Sequence, residues 1–70
     1  MKYLTILGLG EGASFDEVKA AYRDLARQHH PDILRAKGVP IDEIEIAEEI
    51  LKVINDAYEW LSKNHYPTSR

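Results

Sequence analysis

No cysteine occurs among the 70 residues, which excludes a disulfide staple and a thiolate zinc site. No apolar run approaches the roughly 20 residues that a membrane-spanning helix needs. Met1 to Gly12 has no charged head followed by a long apolar stretch, so no signal peptide is expected. Excess positive charge is also missing. The net charge is −3, and general nucleic-acid binding needs a strong basic footprint. A chain of this size is one small domain that buries only roughly 60% of its unfolded surface. Helix–helix packing must then supply nearly all of its stability.

The charge that is present is unevenly placed. Residues 1–38 carry six Lys/Arg against five acidic residues, while residues 39–70 carry three against seven. The first half is therefore at +1 and the second at −4. Such a dipole suits a partner with a local acidic patch better than a polyanion.

The stretch on which the rest converges is His29-His30-Pro31-Asp32. Pro31 has no backbone N–H and disfavours a helical residue before it, so a helix entering this stretch ends near His29 or His30. Residues 31–39 are then expected to form a loop, kept basic by Arg35 and Lys37, broken by Gly38, and anchored by Ile33 and Leu34. His30 and Asp32 are displayed on it. A loop held between two rigid helices is a good place for binding residues.

Two long helices flank that loop. Ser14 with Glu17 has the spacing of a capping box, and Asp16 and Glu17 suit a helix N-terminus. The helix over about 14–29 turns Val18, Ala21, Tyr22, Leu25 and His29 inward and carries Lys19, Arg23 and Arg27 on another face. Pro40 suits a first helical position and opens a second helix over about 40–63, with Asp42 and Glu43 in its first turn. Its inward stripe is Ile44, Ala47, Leu51, Ile54, Tyr58 and Leu61. Ile46, Ile50, Val53, Ala57 and Trp60 form a second stripe, which is either a bed for the short N-terminal segment or a partly exposed patch for a partner. The segment 2–9 is apolar and short. It is read as a helix, because a lone strand would have no partner, with Leu4 and Leu7 on one face. Gly8, Gly10 and Gly12 lack the spacing and the βαβ context of a dinucleotide site. The fold class is thus all-α: an antiparallel helical hairpin, about 14–29 and 40–63, braced by a short N-terminal helix. Residues 1–66 are expected to form the domain and 67–70 a frayed tail.

At this point the residues resemble a known family. The opening Tyr3-Leu4-x-Ile6-Leu7-Gly8-Leu9, then Ala21-Tyr22-Arg23-x-Leu25-Ala26, then His30-Pro31-Asp32, then Ile54-Asn55-x-Ala57-Tyr58-x-x-Leu61 look like the J-domain of DnaJ-type co-chaperones. The paired histidines and the run Ala36-Lys37-Gly38-Val39-Pro40 look most like its DjlA-type branch. The resemblance covers residues 2–63. It implies a co-chaperone domain that binds a DnaK-type ATPase chaperone and stimulates its ATP hydrolysis, with no cofactor, no metal and no chemistry of its own. By resemblance His30, Pro31 and Asp32 are essential. Lys19, Arg23 and Arg27 would meet an acidic surface on the chaperone, and the partner-binding set also takes in Tyr22 and Arg35, although Tyr22 lies on the inward stripe. Ala20 and Asp24 stand where many members have Lys or Arg, so the basic face is thinner. No Gly/Phe-rich linker, zinc repeat or substrate-binding domain is present, so a means of choosing clients is not expected. The reading carries further expectations: a monomer, no nucleic acid, no direct membrane contact, and a cytoplasmic location, on the cytoplasmic side of a membrane if the chain is part of a longer anchored protein. Three alternatives stand against it. A metal enzyme would need His29, His30, Asp32 and His65 to converge, which adjacent histidines at a helix end do not favour. A nucleic-acid reader would have to bring the acidic last helix to a polyanion. A helical interaction or dimerisation module without chaperone activity would use Ile46, Ile50, Val53 and Trp60.

Overall fold

In a computed structural model, residues 2–66 are described. The chain is all-α, with helices α1 (Lys2–Ile6), α2 (Phe15–Gln28), α3 (Pro31–Ala36) and α4 (Ile41–Trp60), the last running on into a π-helical turn, Leu61–His65. The expected tail, 67–70, lies outside the described residues.

The first segment is a helix because it has something to bury. Leu4 and Leu7 share one face and are almost inaccessible to solvent. Gly8 ends the helix at φ +79°. There the Gly8 N–H donates to the Thr5 carbonyl and the Leu9 N–H to the Leu4 carbonyl, both at 2.9 Å. This paired closure needs a left-handed residue at its centre, which glycine adopts at little cost. Leu9 is thereby folded back onto the core.

The expected capping box of α2 is present in both halves. Ser14 Oγ accepts from the Glu17 N–H at 3.1 Å, and Glu17 Oε1 accepts from the Ser14 N–H at 2.8 Å. Two N–H groups that the helix itself cannot satisfy are thereby paired. Val18 is fully buried, and Ala21, Tyr22 and Leu25 pack against the core on the same face.

The stretch 31–39, expected as a loop, instead contains α3. Pro31 occupies its first position, where a missing N–H costs nothing. It ends as α1 does. Gly38 sits at φ +80°, its N–H donates to the Arg35 carbonyl at 3.0 Å, and the Val39 N–H donates to the Leu34 carbonyl at 3.1 Å. Ile33 and Leu34 are half-buried, as anchors should be, and α3 packs on both α2 and α4.

Pro40 is extended (ψ 149°) and precedes α4 rather than opening it. Its carbonyl accepts from the N–H groups of Glu43 and Ile44 at 3.0 and 3.1 Å. Ile44, Ala47, Ile54 and Leu61 are buried along the expected inward stripe. The helix does not stop at residue 63: its last turn widens, so that the Tyr66 N–H reaches the Leu61 carbonyl at 3.0 Å. This swings Tyr66 back across the fold, where its ring lies 5.4 Å from Phe15 and its hydroxyl donates to the Ala13 carbonyl.

All six aromatic residues are used in packing. Tyr58 lies between Tyr22 and Phe15, with ring centroids 4.2 and 6.2 Å away, and Tyr66 extends this column across α2 and α4. Tyr3 stacks on Trp60 at 4.7 Å and fastens α1 to the far end of α4. Full burial of Leu4, Val18, Ile44 and Leu61 contributes roughly 1.5–3 kcal/mol for each side chain. The second stripe of α4 is divided: Ala57 is buried and Trp60 is met by α1, whereas Ile46, Ile50 and Val53 stay exposed. The stripe is thus a bed for α1 at its Ala57–Trp60 end and an exposed apolar patch at its Ile46–Ile50–Val53 end.

Candidate functional site

The junction of α2 and α3 is the corner of the molecule farthest along α2 from the aromatic column's Phe15 end. Each residue of His30-Pro31-Asp32 has a local structural reason for its place. His30 is the N-cap of α3, with an extended backbone (φ −74°, ψ 126°). Its Nδ1 accepts from the Asp32 N–H at 3.1 Å, so an imidazole does the work usually done by Ser or Asp. Pro31 follows with the φ that a first helical residue requires. Asp32 sits in the first turn, where a negative charge is favoured. Arg35, one turn on, donates to Asp32 Oδ1 at 2.8 Å.

This arrangement decides what the tip displays. Accepting at Nδ1 leaves the proton of a neutral imidazole on Nε2, facing outward as a donor. His30 and Asp32 are both exposed, so a hydrogen-bond donor and a carboxylate stand side by side on a backbone that Pro31 and the cap hold in shape. His29 does something different. It is half-buried, and its Nδ1 hydrogen-bonds the Leu25 carbonyl at 2.8 Å. The two adjacent imidazoles therefore have separate tasks. His65 lies at the other end of the fold, edge-on to Tyr66 at 4.7 Å. Among the described residues no three His, Asp or Glu side chains gather as a metal site would require.

Lys19, Arg23 and Arg27 are all exposed along α2. Eight residues at 1.5 Å each make the row about 12 Å long, ending next to the tip. Lys19 Nζ lies 5.5 Å from the Phe15 ring centroid. Arg23 and Arg27 form no ion pair with any carboxylate among the described residues, so their charge is available to a partner. Tyr22 differs from them: it is half-buried, stacked on Tyr58, and its hydroxyl donates to Asn55 Oδ1 at 2.7 Å. Its first task is to join α2 to α4. Asn55, given no role from sequence, is the residue that holds it. A polar amide beside an apolar helical stripe was the available signal. Arg35 is likewise occupied within the chain, orienting Asp32.

The fold and site are those of a small helical hairpin that presents a stiffened tip and a basic rod. The chain belongs to the DnaJ domain family, which matches residues 2–67. Among its relatives are the co-chaperone protein DjlA of Vibrio cholerae, 48% identical over 83% of this chain and 20% of that protein, and the DjlA of Haemophilus ducreyi, 44% identical over 84% and 21%. The chaperone protein DnaJ of Brevibacillus choshinensis is 46% identical over 87% of this chain and 14% of that protein. The chain thus spans about a fifth, or less, of the length of these relatives. No solved structure matches it. No helix among the described residues is long and apolar enough to cross a membrane.

Proposed function

We propose that this J-domain acts as a co-chaperone module: it binds a DnaK-type chaperone in its ATP-loaded state and stimulates hydrolysis there. The observation that carries the reading is the tip, where His30 caps α3 through the Asp32 N–H, leaving Nε2 to donate, and Arg35 holds the exposed Asp32 carboxylate. A prearranged donor and acceptor lose little freedom on binding. Lys19, Arg23 and Arg27 would draw an acidic surface of the chaperone toward the tip, raising the association rate and setting orientation more than adding affinity. That attraction would weaken with salt, since the screening length is about 8 Å at physiological ionic strength. The domain would act by binding the hydrolysis-competent state of the chaperone better than the resting state. The ATP chemistry belongs to the partner, which places the pair in an ATP-containing compartment such as the cytoplasm.

The test is phosphate release from a DnaK-type chaperone titrated with this chain. Saturable stimulation, lost with His30→Gln, is the expected result. Unchanged turnover across chaperones from organisms carrying close relatives, or full stimulation by His30→Gln, would reject the proposal.

A further inference from the structure

Away from the tip, α4 carries a surface that the proposed function does not use. Ile46, Ile50 and Val53 follow the i, i+4, i+7 pattern of one helix face and are 62%, 41% and 48% exposed. Ala57 and Trp60 continue the same line. There the seam is already occupied by a short apolar helix: α1 packs on α4 and Tyr3 stacks on Trp60. The only charged residue in Lys2–Ile6 is Lys2. One half of the seam thus holds a helix of apolar and cationic residues, and the other half is open.

The border of the open half is predominantly acidic. Asp42, Glu49 and Asp56 recur every seven residues, so they form a row along one edge of the ridge, with Glu45 beside them, and all four are exposed. Lys52 is the only cation among residues 41–60, and it pairs with Glu49 at 3.3 Å. Asp56 also helps to line an open groove with Tyr3, Glu59, Trp60 and Lys63, in which Glu59 is already paired with Lys63 at 2.9 Å. A second copy of this chain is a poor occupant, because packing α4 on α4 would set the acidic rows against each other. An anionic bilayer is disfavoured for the same reason.

We propose that the Ile46–Ile50–Val53 ridge with its acidic edge is a docking surface for a cationic amphipathic helix of another polypeptide segment, laid along α4 in line with α1. Its apolar positions at i, i+4 and i+7 cover the ridge, and Lys or Arg along one edge meet Asp42, Glu45, Glu49 and Asp56. This surface is independent of His30 and of the basic row on α2.

Trp60 is the only tryptophan, so its emission reports on the seam. The probe is a synthetic helical peptide with leucine at those spacings and lysine on its flanks, compared with the same peptide carrying glutamate instead of lysine. In low salt the lysine peptide should bind saturably and at least about tenfold tighter than the glutamate peptide, with the preference shrinking as salt is added. Backbone amide shifts should map to α4 around residues 46–60. The Ile46→Gln/Ile50→Gln double variant changes exposed side chains only. It should keep the helical content and melting temperature of the parent while losing binding about tenfold or more. His30→Gln should bind the peptide as the parent does. Equal affinity for both peptides, or shifts confined to another face, overturns the proposal. So does concentration-dependent dimerisation abolished by the double variant, which would make a second copy the occupant.

Discussion

The four glycines divide sharply into two groups, and the division can be measured. Gly8 and Gly38 have φ of +79° and +80°, whereas Gly10 and Gly12 lie outside the left-handed region. A methyl group added at any of the four meets nothing within 4 Å. Steric crowding therefore drops out, and only backbone conformation distinguishes them. Holding an alanine in the left-handed region costs about 1–2 kcal/mol. A domain of 70 residues has a total stability of roughly 3.5–10 kcal/mol, so the loss is a substantial part of the whole. At about 4–8 °C per kcal/mol for a domain of this size, Gly8→Ala and Gly38→Ala should each melt about 4–16 °C below the parent. Gly38→Asn should fall less, because asparagine tolerates the left-handed region better. Gly10→Ala and Gly12→Ala should hold the parent's melting temperature or exceed it, since they restrict the unfolded chain by about 0.4–1 kcal/mol. Thermal unfolding followed by circular dichroism at 222 nm separates the two groups. An unchanged melting temperature for Gly38→Ala would mean that α3 does not end in the observed turn. A loss in Gly10→Ala equal to that in Gly38→Ala would refute the conformational argument altogether.

Leu4→Ala removes a fully buried side chain from the contact of α1 with the hairpin, and should cost about 2–5 kcal/mol in urea unfolding, enough to leave a large unfolded fraction at 37 °C. Ser14→Ala breaks the capping box at a cost of about 1 kcal/mol, and Ser14→Asp should largely restore it. Tyr22→Phe keeps the stack on Tyr58 but removes the bond to Asn55. It should lose about 0.5–1.5 kcal/mol of stability, with little change in chaperone stimulation when assayed well below the melting transition.

The parts of the fold legible in the sequence were those with long or reciprocal signals. Ser14 and Glu17 announced the start of α2, and Leu4 with Leu7 marked the buried face of α1. The inward stripe from Ile44 to Leu61 was long enough for its period to be unmistakable. Helix α3 is not legible as a helix because six residues are too few to show a period, and Pro31, Asp32, Arg35 and Lys37 suggest an exposed loop. A signal was nevertheless present. Leu34 to Gly38-Val39 repeats the spacing of Leu4 to Gly8-Leu9, which closes α1 in the same way, and Pro31 stands where a helix tolerates proline best. The widened turn at Leu61–His65 has no local signature, because it is tied to Tyr66 reaching Phe15 and Ala13 from more than fifty residues away in sequence. For the site, residue identities at the tip were legible while their geometry was not. His30 as a cap, Asp32 held by Arg35, and Tyr22 held by Asn55 all depend on helices whose packing a one-dimensional pattern does not show.

Central to the proposed function is a contact between an ATP-loaded DnaK-type chaperone and the tip of the chain. The direct measurement is the backbone-amide NMR footprint of the labelled chain in the presence of that chaperone with ATP. Broadening or shifts should centre on residues 30–32 and extend along α2 through Arg27, Arg23 and Lys19. A footprint that spared these residues and lay on Ile46, Ile50 and Val53 would contradict it.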